Sequence, residues 1–216
     1  MKKLLFSIAL TSLGLLNVHA QDKGSFEFGI GSGLNFSEVS LININTDNNL
    51  TLNAGHLFGF NVGASAEYYF SDRWGIKLKV IRDGKGFSDG LIIGDNFQQT
   101  TDFRLNYITV PVIVNFHFAS RRNWYANVGP YIGFLNNVKD SEKLGEELGI
   151  DLKEGFKSTD LGLAFGVGYK IKIIENFKLF LEFDGQLGFL DIFKENDIDP
   201  ITNSRYSMNI GGLFTL

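Results

Sequence analysis

Residues 106–118, NYITVPVIVNFHF, alternate between two kinds of side chain. From Ile108 onward every second residue is apolar, and the residues between them are mostly polar or amphipathic. A period of two is the period of a β-strand, so the segment predicts a strand with one apolar face and one wetter face. It is longer than the usual globular strand of about 5–6 residues. The fold therefore depends on which solvent the apolar face meets.

The same alternation recurs along the whole chain and predicts an all-β protein. Eight strands are expected, at residues 25–37, 57–70, 74–87, 106–118, 124–135, 159–171, 177–190 and 205–216. The connections between them alternate strictly between long and short, beginning with a long one. Long loops on one side and short turns on the other are typical of outer-membrane barrels, in which closure leaves no strand edge exposed to lipid. We therefore predict a transmembrane, antiparallel, up-and-down barrel of eight strands, with long extracellular loops and short periplasmic turns.

The N-terminal residues predict export. Lys2 and Lys3 precede an apolar run at residues 4–16, and Val18-His19-Ala20 resembles a signal-peptidase site. We expect residues 1–20 to be a cleavable signal peptide and residues 21–216 to form the barrel domain. The chain has no cysteine, which excludes a lipoprotein anchor, disulfides and thiolate metal sites. Loss of the two lysines takes the net charge from −4 to −6, so we expect no nucleic-acid partner.

The polar faces of the predicted strands carry charges of both signs. In a closed barrel these side chains point into the lumen, where buried charges need partners. The apolar faces then point outward to lipid, opposite to a soluble ligand-binding barrel. We predict a structural charge network in the lumen, made by Glu27, Glu67, Lys77, Lys79, Lys170, Glu182, Asp184 and Arg205.

Aromatic residues of the outward face lie near the termini and the short turns. Such residues form girdles at membrane interfaces. We predict a periplasmic aromatic girdle of Phe26, Phe28, Tyr68, Phe70, Trp74, Phe116, Phe118, Trp124, Tyr169 and Phe214.

Four short motifs, in order along the chain, resemble the PorT-like outer-membrane β-barrel family that is common in Bacteroidetes. The two central motifs are an aromatic-x-x-x-Pro strand and the Gly-Pro-Tyr strand that follows it, here at Tyr107, Pro111 and residues 129–131. The others are a Lys-Gly-Phe element at residues 85–87 and an Asp-x-Gly strand that starts at Asp160. The resemblance implies an integral outer-membrane location, and it links some members to protein secretion. Fold analogy alone does not choose a function.

Candidate chemistry is sparse. His56 and His117 are the only histidines after residue 20, and they are expected at opposite ends of the barrel. Without a cluster of histidines and carboxylates we predict no catalytic, cofactor-binding or metal site. The glycine-rich segments 29–33 and 166–168 do not open a helix after a strand, so they are interpreted as lumen space, not phosphate loops.

The long segment 138–157 is the strongest candidate for a protein partner. Leu144, Leu148 and Leu152 recur every four residues among charges, which permits a short amphipathic helix in an extracellular loop. We expect a non-enzymatic outer-membrane barrel, bathed in lipid and monomeric, with a structural or interaction role linked to secretion. One alternative is a narrow, porin-like channel for small solutes. The other is an outer-membrane enzyme with a site on its loops.

Pro111 poses a local problem in the opening segment. A proline inside a strand removes one donor from the ladder, and a closed barrel has no free edge to place it on. The short turn near Arg121 brings Pro111 opposite residues 129–131. We therefore predict a β-bulge or a broken ladder there, hydrogen-bonded through water or a neighbouring side chain.

Overall fold

The computed structural model describes residues 23–39, 55–94, 97–194 and 200–216. The predicted signal peptide lies outside these residues. The strands are β1 (Phe26–Val39), β2 (Leu57–Tyr69), β3 (Trp74–Gly94), β4 (Phe97–Phe118), β5 (Trp124–Asp140), β6 (Thr159–Ile174), β7 (Phe177–Gly188) and β8 (Asn203–Thr215). Each strand pairs antiparallel with the next, and β8 pairs with β1, so the sheet closes. The predicted eight-stranded up-and-down barrel is confirmed.

The ladder register fixes the shape of the barrel. Following ladder partners once around the wall leads from Phe26 back to β1 at Phe36, ten residues further along, which is a shear number of ten. With a rise of about 3.3 Å per residue and strands about 4.8 Å apart, this stagger gives a tilt of about 40°. A barrel of this size is filled by side chains and has no wide pore.

The apolar faces of the strands point outward. Leu34 and Phe58 are 73% and 72% exposed, whereas Glu67, one of the polar-face residues, is 1% exposed. The wall thus has the polarity of a barrel in lipid, with the apolar face of β4 outside, as the alternation predicts. Within the described ranges, no helix has the length and apolar character needed to cross a membrane.

The segment 88–102 is not the loop that its polar composition suggests. β3 continues to Gly94 and β4 begins at Phe97, and the two strands remain paired to their tip. A register shift between Phe87 and Gly90 accommodates Asp89, which has a φ of 57°. This part of the hairpin rises above the membrane, so neither of its faces meets lipid and the apolar alternation disappears.

The segment 138–157 contains two short helical pieces and no continuous amphipathic helix. β5 extends to Asp140, and helix α1 covers only Leu144–Leu148. Gly149 ends it in a left-handed conformation, with a φ of 67°, and a separate 3₁₀ turn follows at Leu152–Gly155. The period of four in the leucines is therefore interrupted by the glycine that lies between them.

The ladder between β4 and β5 is interrupted at the prolines. Paired residues stop after Pro111 with Tyr131 and resume at Val114 with Val128, in an unchanged register. Two ladder pairs are missing between them. Of the two predicted irregularities, the broken ladder is therefore the one found at this place. The β-bulge of this strand pair lies further up, after Asn106. The missing pairs are those of Val112 with Pro130 and of Ile113 with Gly129, so the barrel accommodates the two prolines by omitting ladder pairs beside them and keeping the register.

An apolar cluster closes the extracellular mouth, and we call it the apolar cap. Backbone hydrogen bonds join the loop after β5 to the loop after β7, from Lys157 N to Ile192 O at 2.7 Å and from Lys194 N to Gly155 O at 3.1 Å. The loops bring Phe156, Ile192 and Ile201 onto inward residues of the upper strands. The buried members are Val39, Phe87, Phe103, Leu105, Tyr107, Leu135, Phe156, Ile192 and Ile201, with Val138, Leu152 and Phe193 packed against them.

Candidate functional site: the filled lumen

The lumen beneath the apolar cap holds paired charges in three layers, and the lower layer lies at the periplasmic end. Glu27 on β1 is 1% exposed, and Lys170 from β6 forms a short ion pair with it. Lys178 Nζ from β7 lies 2.8 Å from the second carboxylate oxygen of Glu27. Tyr69 donates a hydrogen bond to Glu27 at 3.2 Å and accepts one from Lys170 at 2.6 Å. Four strands therefore meet at one buried carboxylate.

Glu67 on β2 is the second carboxylate of this lower layer. Lys77 Nζ and Lys170 Nζ both lie 3.3 Å from its Oε2 atom. His117 Nε2 from β4 lies 2.7 Å from its Oε1 atom. Lys77 and Lys170 also lie over the ring of Tyr125, at 4.7 and 5.3 Å from its centroid. The Tyr125 ring is buried in the lumen, and its face stabilises the two cations.

The middle layer is built around Arg205 on β8. Its Nη1 atom lies 2.7 Å from Asp184 Oδ1, and its Nε atom lies 3.2 Å from Asp83 Oδ2. Lys79 forms a short ion pair with Glu182 and lies 3.5 Å from Asp184. These side chains reach across the barrel from β3, β7 and β8, so the layer ties opposite walls together.

The upper layer is a single isolated ion pair. Lys85 Nζ lies 2.7 Å from Asp160 Oδ2, and both side chains are 0% exposed. Tyr131 donates a hydrogen bond to the same carboxylate at 3.1 Å, and Lys85 lies over the Tyr131 ring at 4.4 Å. Tyr107 lies on the other side of Lys85, at 5.3 Å, and accepts a hydrogen bond from Asn203 at 3.3 Å.

Residues from the PorT-like motifs converge on this upper layer. Lys85 comes from the Lys-Gly-Phe element, Tyr107 and Tyr131 from the two proline-containing strands, and Asp160 from the Asp-x-Gly strand. Phe87, the last residue of the first element, lies directly above in the apolar cap. The motif residues thus fill the lumen below the apolar cap, because each motif supplies one buried residue of the upper layer.

The structure places all eight of the charges predicted for the lumen inside it. Four further buried charges below the apolar cap were missed among the described residues: Asp83, Lys85, Asp160 and Lys178. Each stands an even number of residues from a predicted inward charge of its own strand, so extending the alternation would have found it. With them the lumen between girdle and cap holds six cations and six carboxylates: Lys77, Lys79, Lys85, Lys170, Lys178 and Arg205 against Glu27, Glu67, Asp83, Asp160, Glu182 and Asp184.

Two small cavities lie among the described residues of the lumen. One cavity of about 40 Å³ lies beside Gly31, Gly63, Lys79 and Asn209, and another of about 10 Å³ lies beside Pro111. Such volumes hold a few water molecules at most. His56, by contrast, lies at the outer rim, where its Nδ1 atom is 2.9 Å from Glu38. Among the described residues no group of His, Cys, Asp or Glu side chains is placed to hold a metal ion.

Nine of the ten aromatic residues predicted for the girdle, all except Phe70, have ring contacts with other aromatic residues near the short turns. Trp74 packs on Phe116 at 4.7 Å, and Trp124 packs on Tyr169 at 4.9 Å. Phe26 packs on Tyr68 at 4.9 Å. Phe177, which the sequence interpretation omitted, joins the same belt through Phe214 at 4.9 Å.

Outward aromatic residues also meet at the extracellular end. Phe36 and Phe58 have ring centroids 5.2 Å apart. The outward face therefore carries aromatic pairs near both of its ends, as expected for the two interfaces of a bilayer.

The chain is similar in fold to several solved outer-membrane proteins at low sequence identity. The outer membrane protein OprG from Pseudomonas aeruginosa matches with 13% identity and a TM-score of 0.53, over 93% of this chain and 99% of that chain. AlkL, solved in lipid bilayers, matches with 12% identity and a TM-score of 0.51, over 93% and 94% of the two chains. Ail of Yersinia pestis matches with 18% identity and a TM-score of 0.40, over 89% and 99%. At these identities the likeness shows the fold alone.

Family membership rests on the sequence. No curated protein matches the chain. The model of the outer membrane protein beta-barrel domain matches residues 19–194. A closed eight-stranded wall that is apolar outside and charged inside is the structure such a domain requires in lipid. The chain therefore belongs to the outer membrane protein beta-barrel domain family and is an integral protein of the outer membrane.

Proposed function

We propose that the chain is a closed, non-enzymatic barrel that serves as a structural or interaction element of the outer membrane and meets its protein partner through the extracellular loops. One observation carries this hypothesis: the lumen is filled from girdle to cap by paired charges and aromatic rings. A barrel whose interior is occupied by its own side chains leaves its outer surfaces for function.

The filled lumen favours this role over a narrow channel. A conduction path has to pass the lower layer, Arg205 in the middle layer, the Lys85–Asp160 pair and the apolar cap in turn. The cavities of about 40 and 10 Å³ do not amount to a continuous passage through these layers. Opening one would separate buried ion pairs, which is costly when either charge is left without its partner.

The same arrangement favours a non-enzymatic role. A catalytic acid or base has to reach a substrate. The ionisable groups of the lumen lie beneath the apolar cap and are engaged with one another, as in the contact of Lys85 with Asp160. Residues of this kind stabilise the wall and are poorly placed for chemistry on an external molecule.

The surface best suited to a partner is the loop 138–157. A cavity of about 310 Å³ opens there, lined by apolar and charged side chains that include Val138, Lys143, Glu146 and Ile150. Ile150 is 54% exposed, outside the lipid-facing wall. Apolar surface with a polar rim is typical of protein contact sites, and Ile150 supplies apolar surface beside the charged lining of this cavity. The short 3₁₀ turn that follows packs Leu152 against the cap, which holds the loop in place.

A link to protein export is the finer part of the hypothesis. It rests on the resemblance of Tyr107, Pro111 and residues 129–131 to the PorT-like family, some members of which are linked to secretion. The partner at loop 138–157 is then expected to be a component of an export system. The lumen itself is too full to conduct a polypeptide, so the barrel would act beside the export path.

Site-specific photocrosslinking in native outer membranes tests the proposal. A photoreactive phenylalanine at Ile150 should give a discrete crosslinked protein, which mass spectrometry identifies. The matched control is the same residue at Gln99, which is also exposed and extracellular but lies on the β3–β4 hairpin. Crosslinks from position 150 alone support the interaction surface, and equal patterns from both positions contradict it. A partner outside any export system would contradict the export link while leaving the interaction role intact.

A further inference from the structure

Arg82 is an exception on the lipid-facing wall. It lies on the outward face of β3, where its neighbours along the strand are Leu78 and Val80, exposed by 47% and 48%. On the adjacent strands it pairs across the ladder with Val62 and Ile108. Between the periplasmic girdle and the level of Phe36, it is the one charged residue on the outward face of the described strands.

The height of Arg82 suggests what its guanidinium reaches. Phe58, which marks the extracellular end of the apolar band, stands four residues above Val62, the ladder partner of Arg82. At the tilt of this barrel that separation is roughly 10 Å along the axis. A charged group is costly at the centre of a bilayer and nearly tolerated close to its interface. Arg82 can keep its stem in lipid and extend its guanidinium upward to the headgroups.

Arg104 approaches the same level from above. It lies on the outward face of β4 and pairs with Gly86 across the ladder. Its Nη2 atom donates a hydrogen bond to the carbonyl oxygen of Phe58 at 3.3 Å, so the side chain reaches across β3 to the backbone of β2. Both arginines are exposed, and none of the ion pairs within the described ranges includes either of them. The nearest outward carboxylate on β1, Glu38, is engaged with His56.

No side chain projects from β3 between the two arginines. The outward position between them is Gly84, and a Cβ atom there would lie 3.4 Å from Phe60 O and 3.9 Å from Asn106 Oδ1. Gly84 is buried by its neighbours, so the wall between the arginines is low and closely packed. Phe60, 62% exposed, lies on the β2 side of Gly84, and Asn106 lies on the β4 side.

We propose that Arg82 and Arg104 form a binding site for a phosphate of the phosphorylated glycolipid in the outer leaflet. Two exposed arginines without carboxylate partners among the described residues lie on the outward face, on either side of Gly84, near the height where the headgroups begin. Guanidinium groups bind phosphate oxygens through paired, charge-assisted hydrogen bonds. Phe60 and Ile108, which are exposed on the outward face beside Arg82, suit acyl chains, so one lipid molecule can contact both the arginines and the apolar surface.

Titration of the purified, folded barrel with lipids, read by native mass spectrometry, tests the proposal. The probe is diphosphoryl lipid A, compared with the same lipid without its phosphates and with phosphatidylglycerol. The wild type should bind diphosphoryl lipid A at least tenfold more tightly than either comparison lipid. Arg82→Gln and Arg104→Gln should each weaken that binding about tenfold, because each removes charged hydrogen bonds to phosphate.

Arg121→Gln is the matched control, because Arg121 is also exposed but lies in the periplasmic turn. It should leave lipid A binding unchanged. If Arg82→Gln does not fold, Arg104→Gln gives the same readout from a residue whose side chain makes one hydrogen bond to the backbone of Phe58. Equal binding of phosphatidylglycerol and lipid A overturns the proposal in favour of general anion attraction. Full lipid A binding by the arginine variants also overturns it.

Discussion

Lys85 and Asp160 illustrate how much a single buried residue contributes to the stability of this barrel. Both side chains are fully buried, 2.7 Å apart, at the point where motif residues of four strands meet. Removing one partner of such a pair leaves the other as an uncompensated buried charge, which costs about 3–5 kcal/mol. Replacing both by apolar residues removes the charge as well as the attraction, and it costs less.

We expect Lys85→Met to lower the free energy of unfolding by about 3–5 kcal/mol. The double variant Lys85→Met/Asp160→Leu should recover part of this loss. Urea unfolding in lipid vesicles, followed by tryptophan fluorescence, measures both. The control is Arg122→Ala, which breaks the exposed pair with Asp72, 3.2 Å apart, and should change stability by about 1 kcal/mol or less. Equal effects of Lys85→Met and Arg122→Ala would show that the buried pair contributes no more than a surface one.

For a single residue, the sequence predicts on which side of the barrel wall the side chain lies, but not which other side chain it contacts. The alternation places Lys170, Glu27 and Glu67 in the lumen, because inside and outside differ by one residue in register. It does not say that Lys170 spans both carboxylates, since those strands are distant in sequence. The interrupted ladder at Pro111 was predictable because proline lacks the donor itself. Arg82 shows the converse, since it breaks the alternation and only the barrel geometry gives its height.

The β3–β4 hairpin shows at the level of elements why periodicity has limits. Strand pairing runs to Gly94 and Phe97, well above the exposed aromatic residues of the outer interface. The sequence between residues 98 and 102, QQTTD, has no apolar alternation, because water surrounds that part of the hairpin. Apolar and polar residues alternate where the two faces of a strand meet different environments, so the alternation is absent where both faces meet water. The apolar cap escaped prediction for a related reason, because Phe156 and Ile192 come from separate loops.

We expect the hairpin to be accessible from outside the cell. The chain has no cysteine, so single cysteines can be introduced at Thr100 on the hairpin and at Ser120 in the turn between β4 and β5. A membrane-impermeant maleimide added to intact cells should label Thr100→Cys and spare Ser120→Cys. After the cells are broken, both should react. Labelling of Ser120→Cys in intact cells would reverse the assigned orientation.

Charge balance and closure belong to the whole molecule. Six cations and six carboxylates fill the lumen between girdle and cap, so their formal charges cancel. A shear of ten around eight strands leaves an interior that these side chains and the tyrosines occupy. The strand number and the loop asymmetry were predictable because lipid imposes them. The filling of the lumen was predictable in kind from the size of the barrel, whereas the sealing of its mouth required the folded loops.

Planar-bilayer recording with purified, folded protein tests the central claim of a closed lumen most directly. Because the apolar cap and the three charged layers close the lumen, the membrane should show no regular conductance steps. The salt concentration is on the order of 1 M, where surface charges are screened. Incorporation is verified by recovering the protein and finding the heat-dependent gel shift of a folded barrel. Silent bilayers with verified incorporation are the expected result. Reproducible unitary steps that scale with salt concentration would contradict the closed lumen and restore the channel alternative.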